Sequence, residues 1–478
     1  MKKAFGKEMD LTSGNLFWKI PLFALPMALT TWLQLLYTTI DLWTVANFGG
    51  GSSSMSAVGS NGALIHMIIT VFLAMSLGAN VAIANAKGSG NKVYAEKVLH
   101  TALVLALFLG IAVGVAGAFL SGPLLKLMGT IDSIIDKATT YLTIYFVGLP
   151  FLMIYNYCAQ IMRALGDSNK PLIILTISGI INVIFDLLFV MVFKLDVAGV
   201  AWATVISEAV SAILSILAFT FNKGGFVSFS PKKLAIDSIA LKEIVRIGLP
   251  AGLQGLAFSV PNVLIQSSLY TITNDRIPVE DIVNGSAASG QVEGYIYALI
   301  EALSGACVAF VGQNYGARKK GNIQKVFWYA QIWSIIANLL ASLVCFVLAN
   351  PLLGLFIHEA DQEHLSFAIE AGKQRLFLFL CTYWLDGIMD IDSSYVRGMK
   401  RSTAPAIIIF FGCTVSRIIF LFTLFKLEPF HNVTWLYAAF PISWVLVDLV
   451  YIPVVITIQK KAFREIGTPS SLLNSESL

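Results

Sequence analysis

Charge is what this chain has least of. Asp, Glu, Lys and Arg together make up 13% of its 478 residues, against roughly 25% in soluble domains. That excludes an ordinary water-facing surface. Cysteine is also sparse: the five (Cys158, Cys307, Cys345, Cys381, Cys413) sit in apolar segments without paired spacing. They read as small core residues and exclude a disulfide framework or a thiolate metal site. The histidines His66, His100, His358, His364 and His431 show no metal-ligand spacing. No P-loop is present, which excludes ATP-driven work by this chain alone. Basic clusters fall in short segments between apolar runs, so topology accounts for them and nucleic acid is not expected as a partner. The polar start, MKKAFGKEMD, has no cleavable signal pattern, so the first helix is expected to stay as a span.

What the chain does have is long apolar runs. Residues 98–125, 138–162, 247–274 and 326–358 contain no charged side chain, and about 20 apolar residues suffice to cross a bilayer core. Residues 42–86 are uncharged too, but Gly49-Gly-Gly-Ser-Ser-Ser54 divides them into a helix end, a turn and a new helix. The pattern predicts an all-α polytopic membrane protein with twelve transmembrane helices. The expected spans are 16–47, 56–86, 97–121, 137–160, 171–193, 197–222, 243–272, 286–314, 325–350, 372–396, 404–426 and 433–459. With the N-terminus inside, the inner segments hold 24 Lys and Arg and the outer ones seven, Lys373 and Arg375 among them, with Arg417 left in a span. The excess of inner positive charge predicts a multi-pass protein of the cell (plasma or inner) membrane with both termini cytoplasmic.

The membrane part repeats. Leu25-Pro26-Met27-Ala28-Leu29 matches Leu249-Pro250-Ala251-Gly252-Leu253, and Arg163, eight before Pro171, matches Arg397, eight before Pro405. Phe193-Lys194-Leu195 matches Phe425-Lys426-Leu427, and Val200-x-Trp202 matches Val433-x-Trp435. The expected organisation is a six-helix lobe over 1–222, a cytoplasmic linker over 223–242, a second six-helix lobe over 243–463 and a polar tail over 464–478. Six spans per copy give both copies one orientation, and transporters so built bind at the repeat interface and rock their halves. Pro26 and Pro250 each free a backbone carbonyl in the first helix of a half. That is either a static kink or a bendable point.

Ten ionisable residues fall inside the spans: Asp41, Asp186, Glu208, Glu293, Glu301, Asp386, Asp390, Asp392, Asp448 and Arg417. Nine acids against one base suit cations or protons. Asp41, Asp186 and Thr204 each lie six or seven residues from the outer end of their helix, roughly 10 Å deep. Asn182 lies one turn from Asp186 on the same face. These four could line an oxygen-rich cation site, or the two carboxylates could share one proton; the alternative is that they face loop water separately. On the tenth span Asp386 and Asp390 are spaced i, i+4 and make a second candidate proton site. The alternative there is a salt bridge to Arg417. Asp392 points elsewhere, Glu208 extends the first polar face or packs, and Glu293 and Glu301 stay unassigned. Tyr37, Trp32, Met27 and Phe258 could line an apolar cavity, or face lipid or core.

Several motifs resemble the multidrug and toxic compound extrusion (MATE) family. Gln34-x-x-Tyr37-x-x-x-Asp41 followed by Ser56-Ala57-Val58-Gly59 is similar to that family's first helix and entry to the second. Val311-Gly312-Gln313-Asn314-Tyr315-Gly316-Ala317 resembles its eighth-helix motif, and Arg163-Ala164-Leu165-Gly166-Asp167 with Arg397-Gly398-Met399 its paired loops. The resemblance covers roughly 10–460 and implies two six-helix lobes in a V, exporting organic cations and drugs in exchange for sodium ions or protons. In the DinF-like branch the cation site would carry over to Asp41, Asn182, Asp186 and Thr204. In the NorM-like branch a second-lobe acid matches Asp386, but its acidic partner on helix 7 is replaced by Gln254, Phe258 and Ser259, which favours the DinF-like branch. Gln34, Tyr37, Gln254 and Phe258 are the substrate-cavity candidates. Small amphipathic or cationic molecules are the expected substrates and the bilayer the expected surroundings, with no cofactor, no metal beyond Na+, and a monomeric chain. Two competing classes are a lipid-linked sugar flippase, which would call for a cationic cavity, and an intramembrane hydrolase built on Asp386 and Asp390, against which the repeat argues.

Overall fold

The computed structural model describes residues 8–222, 224–272, 276–357 and 361–467. His358 and the tail from residue 468 onward lie outside them. Among the described residues the regular structure is entirely helical. The long helices are α1 (Leu16–Phe48), α2 (Ser52–Gly88), α3 (Lys92–Leu127), α4 (Asp132–Ala164), α5 (Asn169–Val192) and α6 (Asp196–Thr220). They continue with α7 (Ser238–Thr271), α8 (Val279–Gly316), α9 (Lys320–Val347), α10 (Gln362–Gly398), α11 (Thr403–Lys426) and α12 (Val433–Gly467). Eleven of these are long and apolar enough to cross a membrane by length and composition; α10 is the exception. It is 37 residues long but carries Glu363, Glu370, Asp386, Asp390 and Asp392. Many large apolar side chains are exposed, Phe119 and Leu127 being more than four-fifths open, while Arg417 is 2% exposed. That inversion is what hydrocarbon surroundings demand.

Several helices start earlier than hydropathy predicts: α7 at Ser238 rather than 243, α8 at Val279 rather than 286, and α10 at Gln362 rather than 372. Hydropathy measures only the apolar stretch, whereas a helix runs on until its backbone meets a stop or a cap. Asp361 supplies such a cap to α10, its side chain accepting from the Glu363 N–H. Asp237 does the same for α7, accepting from Ile239 and Ala240.

The chain forms two compact units. One comprises residues up to Leu11 with Pro26–Gly252, the other Thr12–Leu25 with Leu253–Leu478. Helix α1 therefore changes unit at Pro26, and α7 just after Pro250, at the two equivalent prolines. In the first unit α3 lies against α4. A Cβ on Gly110 would meet the Pro150 Cα at 2.5 Å, and one on Gly114 the Phe146 carbonyl at 2.6 Å. Small residues let helices approach this closely in lipid, where dispersion contacts must hold them together. Leu99, Leu142, Phe146 and Tyr157 fill the core beneath.

Candidate functional site

In the first unit α1 meets α5 where the Tyr37 ring lies on Gly179. A Cβ on that glycine would stand 1.8 Å from the ring Cζ. One turn further along α1 comes Asp41; one and two turns along α5 come Asn182 and Asp186. The helical period therefore carries both polar faces to one place. Asp186 is fully buried, Asn182 4% and Asp41 8% exposed. The two carboxyl groups lie close enough for each to feel the other's charge, and Thr204 of α6 donates to Asp41 Oδ2 at 3.5 Å. The single hydroxyl proton of Thr204 is shared with the Val200 carbonyl, the nearer acceptor at 3.0 Å.

This cluster is short of donors. Asp41 Oδ1, Asn182 Oδ1 and both Asp186 oxygens have no protein partner. Buried acceptors left so cost about 1–3 kcal/mol each, and a proton or a cation is the species that relieves an all-oxygen set. Immediately past Asp186 the backbone widens into a π-helical turn, Leu188–Val192. Such turns inside helices gather at functional places. Glu208, one turn past Thr204 on α6, packs at Gly148 of α4, where a Cβ would meet its Oε2 at 2.7 Å. Of the cavity candidates in this unit, Gln34 is exposed and Tyr37 half-buried.

In the second unit Asp386 is 6% exposed on α10. Asp390 accepts from the Tyr297 hydroxyl at 3.4 Å, while its backbone carbonyl accepts from Ser304 at 3.5 Å. Among the described residues no ion pair joins Asp386 to Arg417. Arg417 donates instead to Ser443 Oγ at 2.9 Å and Asn262 Oδ1 at 3.4 Å, with its guanidinium 4.3 Å over the Phe440 ring. Gln254 accepts from Arg397, and Phe258 is half-buried.

One basic side chain counted with the outer segments is held between two helices. Arg375, assigned above to the outer segment, lies within α10 and forms two 2.8 Å hydrogen bonds with Glu293 of α8, the acid that sequence left unassigned. Their side chains are 14% and 6% exposed. Ser289 donates to the same carboxylate at 2.9 Å, and Arg375 donates to Ser286 at 3.0 Å. Hydropathy does not register that α10 already runs from Gln362, more than three turns before Arg375, so the side chain stands on a helix face turned to α8.

A bundle of long apolar helices, with unpaired carboxylates held inside and apolar side chains outside, defines an all-helical polytopic membrane protein whose chemistry lies within the bundle. The MatE family model matches residues 26–188 and 280–423, and the chain belongs to the MatE family of transporters. It is 28% identical over 392 residues to the "Probable multidrug resistance protein YpnP" of Bacillus subtilis, covering 82% of this chain and 84% of that one. It is 24% identical over 365 residues to the "FAD transporter" of Shewanella oneidensis, covering 75% and 77%. In fold it is similar to a structure solved as the outward-facing conformation of a multidrug resistance MATE family transporter, with a TM-score of 0.82, 20% identity, and coverage of 97% of this chain and all of that one.

Proposed function

We propose that this protein is a secondary active antiporter that exports organic cations and drugs across the plasma membrane in exchange for entering protons or sodium ions. The observation that supports it best is the first-unit cluster, in which two buried carboxylates, an amide oxygen and a hydroxyl converge with acceptors to spare. With no positive species present, Asp41 and Asp186 repel each other in a medium that screens little. A bound cation or a shared proton removes that repulsion and draws α1, α5 and α6 together. Because a ligand shifts a conformational equilibrium only by its difference in affinity between the two states, loading this cluster favours the state in which the three helices meet. Emptying it favours the other.

On this reading α10 also spans the membrane despite its acids and brings the total to twelve, both termini are cytoplasmic, and residues 1–222 and 243–463 form two six-helix lobes that alternate access. The linker is 223–242, the tail 464–478, and the chain acts as a monomer in the bilayer without a cofactor. Assignment to the DinF-like branch rests on the first-unit residues. Asp386 and Asp390 form a second proton site, and Gln34, Tyr37, Gln254 and Phe258 contact substrate. In proteoliposomes Asp41→Asn and Asp186→Asn should each abolish dye export driven by an imposed proton or sodium gradient while leaving helix content intact. Unchanged export by both variants rules the cluster out. Running cationic dyes beside a flavin dinucleotide separates drug export from carriage of an anionic nucleotide.

A further inference from the structure

Helix α9 is polar on the inside. Gln331, Ser334, Asn338 and Ser342 fall at i, i+3, i+7 and i+11, one face of a helix, and they are 7%, 0%, 1% and 7% exposed. The opposite face carries Leu339, Leu340, Leu343 and Val347, each more than half exposed. The buried face lies against α8 and α10.

Each of the four has an oxygen with no protein partner: Gln331 Oε1, Ser334 Oγ, Asn338 Oδ1 and Ser342 Oγ. The amide nitrogens are already committed. Gln331 Nε2 donates to Asp392 Oδ1 at 2.8 Å and to the Ile388 carbonyl at 3.3 Å, and Asn338 Nδ2 donates to the Ser334 carbonyl at 2.8 Å. Both amide oxygens are thereby turned away from the bonds that their own nitrogens make. Four buried polar oxygens without partners cost about 1–3 kcal/mol apiece, whereas one buried water makes about three hydrogen bonds and can serve two of them. The row spans eleven residues, about 16 Å of helix, and it ends on a carboxylate that is 6% exposed.

We propose that the seam between α9 and α10 is a hydrated path that carries protons from the outer end of α9 to Asp392. The direction rests on the antiporter topology above, which puts Val347 at the outer face, five residues from Ser342. Asp392 lies two residues past Asp390 on the same helix, about 200° round its axis, so this path is separate from the Asp386 and Asp390 face. The groups around Asp392 are Gln331 of α9, Cys307 of α8, and Asp448 and Tyr451 of α12. No cation stands among these four. Both Asp448 oxygens also have no protein partner, so a second carboxylate with free acceptor sites shares the surroundings of Asp392. Gly387 of α10 closes the seam's width: a Cβ there would stand 2.5 Å from Ser334 Oγ and 2.8 Å from Asn338 Nδ2.

The test is made on the full chain with its five cysteines replaced by serine and one cysteine returned at Ser342, Asn338 or Ser334. Silver ion, about the size of a water molecule, is added outside proteoliposomes in chloride-free buffer, and surviving thiol is titrated with a maleimide after unfolding. All three positions should react at least tenfold faster than Leu340→Cys on the lipid side. Adding Gly387→Ala should slow the reaction tenfold at Ser334→Cys and leave Ser342→Cys unchanged. Reaction at Asn338→Cys and Ser334→Cys no faster than at Leu340→Cys means a dry seam and overturns the proposal, whatever the outcome of the export assays. Infrared difference spectra on acidification give the second readout, and Asp392→Asn should delete a carboxylic C=O band. A hydrated seam with that band retained overturns Asp392 as the receiver.

Discussion

Gly179→Ala tests whether the first-unit cluster depends on the close approach of α1 to α5. The added methyl would stand 1.8, 2.1 and 2.2 Å from Cζ, Cε2 and OH of Tyr37. Carbon contacts settle at about 3.5–4.0 Å, so the ring must retreat by about 2 Å. Asp41 is one turn along the same helix, and its 3.5 Å contact with Thr204 is already long. A shift of that size separates Asp41 from both Thr204 and Asp186. Overpacking of this kind costs about 1–3 kcal/mol. If the cost falls on the state in which the cluster is assembled, apparent affinity for the driving ion drops about 5- to 150-fold. Ion-dependent dye export from proteoliposomes measures it, with thermal unfolding in detergent as the control. Tyr37→Ala added to Gly179→Ala removes the colliding ring, and the double variant should recover most of the lost ion affinity. Wild-type ion affinity in Gly179→Ala, or no recovery in the double variant, would refute the argument.

Other expectations follow from single contacts. Glu293→Gln leaves Arg375 as a buried charge without its counterion and should destabilise by about 3–5 kcal/mol; adding Arg375→Met should restore much of that, read as unfolding temperature. His431 sits in the segment between α11 and α12 and reaches two carbonyl oxygens, those of Phe425 at 2.9 Å and Thr271 at 3.0 Å. Carbonyls only accept, so both contacts are hydrogen bonds only when the imidazole holds both protons, and these bonds hold its pKa above the ordinary value. The stabilisation is complete below the unfolded pKa and is lost as pH rises through the folded one, so the fall in thermal stability across that window should vanish in His431→Ala. Asp237 runs the other way. The Lys97 ammonium and the Ala240 and Ile239 N–H groups hold its carboxyl below the ordinary range, so what it adds to stability is lost only as pH falls through that lowered value. Asp237→Asn should flatten the acid limb of the unfolding curve.

Local pattern alone establishes that this is a helical membrane protein, where the apolar stretches of its long helices lie, and which acids stand in apolar surroundings. Those follow from local quantities: an uncharged run of the right length, an excess of basic residues between runs, and a carboxylate with no neighbouring charge. Helical spacing was also enough to put Asn182 and Asp186 on one face, because i and i+4 always share one. Which faces meet is a matter of tertiary packing. Tyr37 on Gly179, Arg375 on Glu293, and Arg417 on Ser443 and Asn262 rather than Asp386 each join residues at least 26 positions apart, and no local pattern encodes such a pairing. The buried polar row on α9 was present in the sequence as well, inside a run noted only for its lack of charge. Its meaning depends on which side of the helix faces protein and which faces lipid, and that is settled by packing.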